Sequence, residues 1–287
     1  MIASFHIADL RPRQALRLLR HPPDAGAVCG LRFAATTMTG PLSATLPPPV
    51  RPTRIGLIAF WDQEAELDKF LAEHPVAADL AHGWHVRLEP VRHVGALHEL
   101  ADLPTGAPLE PGDPAAVLTL GRPRFNRLLP FMRTNATAAG LAMADPALVV
   151  ATGFARPPGL LGTFSLWRST TAMRHYATGR TGPAHRDAIL ADRARPFTHE
   201  KMFIRMRPYA AVGHWDGREP LAIAKTTDHD NIDPSENSIH GVGLGKRPLP
   251  ARTGQGKGGP QAHREATRSA LSVKRPPVNR VHSCCPR

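Results

Sequence analysis

Apolar and polar positions along the chain fall into short strand-like runs separated by amphipathic helical stretches, and the pattern occurs twice. The segment "RIGLIAFWDQEAELDKFLAEHP" (54–75) is an apolar run ending in Trp61, then polar capping residues, an amphipathic helix and a proline. The segment "LGTFSLWRSTTAMRHYATGRTGP" (161–183) repeats that order around Trp167. A helical stretch and a second strand follow each, "HVRLEPV" (85–91) and "FIRMRPY" (203–209). These two align without a gap, so Arg87 matches Arg205 and Pro90 matches Pro208. Upstream, "LRPRQALRLL" (10–19) resembles "GRPRFNRLLP" (121–130), and "LRFAATTMTG" (31–40) resembles "LVVATGFARP" (148–157).

Each copy reads strand, helix, strand, strand, helix, strand. The expected fold class is therefore α+β, with two ferredoxin-like βαββαβ repeats forming a pseudo-dimeric α+β barrel in which each sheet covers the other's open face. The expected divisions are a first repeat over 1–100, a Pro/Gly linker over 101–113, a second repeat over 114–221 and a disordered basic tail over 222–287. Strand alternation sorts Met202, Ile204 and Met206 into one row and Phe203, Arg205 and Arg207 into the other. The first row is expected under the helices. The second is expected to face the barrel interior or mouth, where two arginines could clamp carboxylates. The competing reading pairs them with acids such as Glu89 or leaves them on a solvated face. Val86 and Leu88 are expected on the helix side. Trp61 and Trp167, present in both copies, are expected to be packing anchors.

Composition changes the picture mainly by exclusion. The formal net charge is +12, but residues 221–287 hold 11 Lys/Arg against 5 Asp/Glu, so half the excess lies in the tail. That tail has almost no aromatic residues to stack on bases, which argues against specific nucleic-acid binding. Three cysteines, two of them adjacent, make neither a disulfide framework nor a metal knuckle. A reducing cytoplasm is the expected compartment. No secretory leader and no spanning apolar run are expected. The marks of a zinc enzyme, a nucleotide-binding loop and a serine nucleophile elbow are absent.

Among 15 histidines, His185 stands out. Aligning Pro75 with Pro183 sets Ala77 opposite His185, so the repeated helix does not require a histidine there. A histidine in the first turn of a helix tends to stay neutral, and neutral imidazole can ligate iron. An exposed helix-start histidine is the competing reading.

The segments "GTFSLWRSTTAMRHYATGRTGPAHRDAI" (162–189), "FTHEKMFIRMRP" (197–208) and "GHWDGREPL" (213–221) resemble the spheroidene monooxygenase family. The matching features are its F-S-x-W strand end, H-R-x-A-I helix, E-x-x-F-x-R strand and W-D-G-x-x-P turn. The resemblance runs over about residues 2–221, more specific in the second repeat than in the first. It implies an oxygenase that places oxygen on an acyclic carotenoid or similar apolar isoprenoid with haem and dioxygen. It implies His185 as the axial metal ligand and Arg205 and Arg186 as cofactor-binding residues toward the haem carboxylates; the strand alternation adds Arg207 as a cofactor-binding candidate. It further implies an electron donor protein such as a ferredoxin, and peripheral contact with the inner face of a membrane. Trp215, Asp216 and Gly217 match the closing turn and are expected to shape the barrel end. Met206 stands where the family has phenylalanine, and the tail has no counterpart. A cofactor-free oxygenase and a non-enzymatic binder of apolar ligands or haem remain open as alternatives.

Overall fold

The computed structural model describes residues 1–178 and 196–226, which fall in one compact unit, Met1–Thr227. His185, Arg186 and the tail lie outside the described residues. The elements of the first half are β1 (Ile2–Asp9), α1 (Pro12–Arg20), β2 (Leu31–Pro41), β3 (Arg51–Trp61), α2 (Glu64–Glu73), α3 (Pro75–Leu80) and β4 (Trp84–Ala96). Those of the second half are β5 (Ala115–Pro123), α4 (Leu128–Met143), β6 (Leu148–Arg156), β7 (Leu160–Trp167), α5 (Thr170–Ala177) and β8 (Thr198–Gly213). A last short helix, α6, spans Pro220–Lys225.

Eight antiparallel strands close into a barrel in the order β1-β3-β2-β6-β7-β5-β8-β4. The first half contributes β4-β1-β3-β2 and the second β8-β5-β7-β6, so both halves order their strands fourth, first, third, second. Two seams join them. The β4–β8 seam is long, from Trp84 opposite Gly213 to Ala96 opposite Lys201. The β2–β6 seam is short, from Met38 opposite Ala155 to Pro41 opposite Thr152.

The barrel interior is packed with side chains. Phe5 of β1 stacks on Phe164 of β7 with ring centroids 4.1 Å apart, and Trp84 and Trp215 pack around them. Met202, Ile204 and Met206 belong to this interior cluster, as do Val86 and Leu88. The expected facing of both strands is therefore reversed. Phe203, Arg205 and Arg207 point outward, and the Met/Ile/Met row points in. The physical reason is the size of the barrel. Eight strands leave room only for their own side chains, and a guanidinium row inside would be stripped of water without partners.

A second cluster lies outside the first half's sheet. There Ile55, Leu57, Ala59 and Trp61 of β3 meet Leu18 of α1, Leu67 and Phe70 of α2 and Leu80 of α3. Strand β3 is thus buried on both faces, which explains its unbroken apolar run. Trp61 and Trp167 are both buried, and each indole N–H donates to a serine, Ser4 at 3.0 Å and Ser165 at 2.9 Å. Both act as anchors. The stretch expected as a linker is held closely. Gly106 N–H donates to Pro90 O and Thr170 N–H to Asp113 O, and Leu103 and Leu109 are buried. Trp215 enters the barrel interior, while Asp216, at φ 51°, pairs with Arg54 at 2.6 Å. The Trp-Asp-Gly turn therefore closes one barrel end.

Candidate functional site

A cavity of about 490 Å³ lies outside the barrel, against the second half of the sheet. Its floor is the outward row of β5 and β7, including Val117, Thr119, Leu161, Thr163 and Ser165. Helix α4 forms one wall through Leu128, Phe131, Met132, Asn135 and Ala139, and α5 adds Met173, Tyr176 and Ala177. Leu42 to Val50, between β2 and β3, supply another wall, and Phe197 and Phe203 complete the lining. Small residues make the space. Ala136, Ala139 and Ala142 face the sheet from α4, and Gly121, Gly153 and Gly162 lie beneath them. A volume in this range suits one small ligand or part of a longer one.

The lining is apolar with few polar groups. Among the described residues it contains no Asp, Glu, His or Cys. Tyr176 donates its hydroxyl to Ala138 O at 3.1 Å, tying α5 to α4, and burial pushes its phenol up to about 12. It therefore stays a neutral donor at any working pH. Its ring stacks on Trp167 with centroids 5.1 Å apart. At the N-terminal end of α4, Phe131 meets Phe197 edge-on, and the Arg127 guanidinium lies 5.4 Å from the Phe197 ring centre.

The arginines expected at the site differ in their fates. Arg207 pairs with Glu89 and donates to the carbonyls of Ala107 and Pro108 at 3.1 and 3.0 Å. Its hydrogen bonds are spent on structure, as the competing reading held. Arg205 is half-buried, opposite the cavity residue Val117 on β5 and Arg92 on β4. Its Nε–H is buried without a partner. Burial first, then the charges of Arg174 and Arg92, push its guanidinium below its ordinary proton affinity. This is an electropositive spot beside the cavity with an unspent donor, a setting that favours an anion. The residues flanking the undescribed span that carries His185 and Arg186 include Ala177 and Phe197, and both line the cavity. Among the described residues, no group of three or more His, Cys, Asp or Glu could hold a metal ion.

A second polar cluster lies on the outer face of the first half. His6 is buried, its Nε2 is 3.1 Å from Ser4 Oγ, and its ring stacks on His85 at 5.1 Å. Burial, aided by the neighbouring His85 and Arg87, lowers His6 to about 3. Arg87 is held by Glu64 at 2.7 Å and Asp68 at 2.6 Å. Periodicity alone did not mark His6, because a lone histidine in an apolar strand has no motif around it. Nor did it mark the 42–50 wall. The available signal was the run of small residues in "ATAAGLAMA" (136–144), which leaves a helix with little to fill the space against its sheet.

No protein-family model matches the chain. Two curated proteins do, both oxygenases of the spheroidene monooxygenase type. The spheroidene monooxygenase of Rubrivivax gelatinosus is 31% identical over 171 residues, 58% of this chain and 64% of the relative. That of Cereibacter sphaeroides is 25% identical over 177 residues, 59% of this chain and 54% of the relative. The chain thus bears a family-level resemblance to these proteins and spans between half and two thirds of their length. Among solved structures, an aldoxime dehydratase aligns over 77% of this chain and 84% of its own, with 10% identity and a TM-score of 0.46. A monooxygenase-like protein from Listeria innocua aligns over 71% and 93%, with 12% identity and a TM-score of 0.25.

Proposed function

We propose that this protein is a haem-dependent oxygenase of the spheroidene monooxygenase type, acting on an acyclic carotenoid or similar apolar isoprenoid. The observation that carries the reading is the apolar cavity outside the barrel, taken with the resemblance to the two spheroidene monooxygenases. A cavity of this volume takes part of one large apolar ligand and leaves the remainder outside. Its lining holds no carboxylate, histidine or cysteine among the described residues, which supports a reading in which a cofactor supplies the chemistry.

Haem fits the residues present in two respects. The lining is apolar, as a porphyrin face requires, and Arg205 presents a buried, unpartnered N–H beside the charges of Arg174 and Arg92, a setting suited to a propionate. In this reading His185 would ligate the iron, Arg205 and Arg186 would hold the carboxylates, and Arg207 would stay with Glu89. When bound, the iron would activate dioxygen, with electrons from a donor protein such as a ferredoxin. The chain's own task is to orient the polyene end, exclude water and neutralise the carboxylates. We further propose that the two halves descend from one duplicated βαββαβ unit, which their identical strand order supports. The site then developed on the second half only, where Ala77 of the first half has His185 as its counterpart.

The test is an absorption spectrum of the purified protein supplied with haem, followed by turnover of an acyclic carotenoid with an electron donor. A Soret band that disappears in His185→Ala, with a hydroxyl or keto product on chromatography, is expected. A colourless protein overturns the reading. The absence of carboxylate, histidine and cysteine from the lining, among the described residues, also favours a non-catalytic apolar-ligand carrier. Co-purification of a pigment with no turnover would select that alternative.

A further inference from the structure

The edge of the molecule around the N-terminal end of α4 combines two features. The first is exposed apolar side chains beside an apolar cavity. A single 3-10 turn, Phe125–Arg127, leads into α4. Phe125 is 70% exposed and Leu129 is 52% exposed, while their neighbours Leu128, Phe131 and Met132 line the cavity. On the cavity's other wall, Leu46 and Val50 are also exposed. Burial of the intervening residues therefore does not extend to these four. Their exposure leaves apolar surface beside the cavity with no partner among the described residues.

The second feature is charge. From Pro114 to Ala144 the chain has four arginines and no acid. Arg122 is paired with Glu99 and Glu200. Arg124, Arg127 and Arg133 form no ion pair among the described residues. Arg124 Nε donates to Thr198 O at 3.3 Å and Arg127 lies over Phe197, so the first two are held at this edge. Arg133 is exposed one turn further along α4. Three guanidiniums around exposed Phe and Leu complement a surface that is anionic outside and apolar beneath.

We propose that this edge docks on an anionic lipid bilayer, with Phe125 and Leu129 entering the headgroup boundary and the three arginines on lipid phosphates. The inference rests on the reading of the cavity as an apolar-ligand site, because docking here sets the cavity rim against the phase in which such a ligand dissolves. No helix among the described residues is long and apolar enough to cross a membrane, so attachment of this kind would be peripheral.

The experiment is co-sedimentation of the full chain with vesicles of phosphatidylcholine, with and without phosphatidylglycerol. Binding is expected only to the anionic vesicles and should weaken with salt. Phe125→Glu/Leu129→Glu should lower partitioning at least tenfold, by removing apolar insertion and adding repulsion. Each of Arg124→Gln, Arg127→Gln and Arg133→Gln should lower it roughly fivefold at low salt. Leu16→Glu, at an exposed leucine on α1, serves as the control and should change nothing. A chain that ignores anionic vesicles overturns the proposal, and so do edge variants that bind as well as the unaltered protein. Haem uptake and turnover in detergent micelles are read separately. If those fail while the vesicle results hold, the oxygenase reading falls and the docking surface stands.

Discussion

Replacing His6 by glutamine should remove much of the protein's sensitivity to mild acid. His6 is 2% exposed, and burial with neighbouring positive charge lowers it from 6.5 to about 3. The folded state therefore holds His6 neutral, whereas the unfolded chain takes up a proton below pH 6.5. Its contribution is full above that value and is lost as the pH falls from 6.5 toward 3. Linkage puts the loss on the order of 2 kcal/mol by pH 5, most of it below pH 6. A glutamine amide can meet Ser4 Oγ in place of His6 Nε2 but does not titrate. The assay is urea unfolding of both proteins at pH 7.5, 6.5, 5.5 and 5. At pH 7.5 the glutamine variant should be the less stable, because the stacking on His85 is gone. The gap should close or reverse by pH 5. His85, also lowered, by burial and then by Arg87, remains in both proteins and largely cancels in the difference. A stability gap that stays constant across this range would falsify the buried, neutral assignment of His6.

Three further outcomes follow from the packing. Ala139→Leu adds bulk where α4 faces the cavity, so an apolar fluorescent probe should bind at least tenfold more weakly by titration, while the melting temperature shifts by only a few degrees. Trp215→Ala should cost about 3–5 kcal/mol in chemical denaturation, since Trp215 packs among Phe5, Trp84 and Phe164. Gly162→Ala would drive a methyl group into the Thr119 carbonyl across the β5–β7 ladder. It should destabilise the protein by roughly 1–3 kcal/mol and loosen the cavity floor, seen as faster amide exchange at β7.

Element order was legible where a strand ends at a strong local signal, as β3 does at Trp61 before the acidic first turn of α2. The side of the sheet facing the interior was not. Met202, Ile204 and Met206 alternate cleanly with Phe203, Arg205 and Arg207, but alternation says only that the two rows differ. Closure of the barrel decides which row is inside, and closure depends on pairings such as Leu88 with Pro208 that join distant parts of the chain. The Arg207–Glu89 pair was within reach of the sequence, since both lie on strands whose counterparts align. The proline-rich 42–50 segment gave no hint that it would wall a cavity. Its role comes from α4, about ninety residues further along, where a side chain added at Gly140 would meet Ala44.

The two seams have a consequence for the chain as it leaves the ribosome. Phe5, Trp84, Val86 and Leu88 are buried against residues such as Phe164 and Ile204, which are synthesised far later. Until β8 exists, β4 has an open edge and the first half's inner face has no cover. A finished N-terminal half is therefore a sticky, half-open sheet, and its exposure lasts as long as translation takes to reach β8. Chains with such long-range closure fold slowly and aggregate readily while incomplete. Production of this protein should accordingly respond more to slower growth temperature and to chaperone supply than to any gain in the stability of the completed barrel.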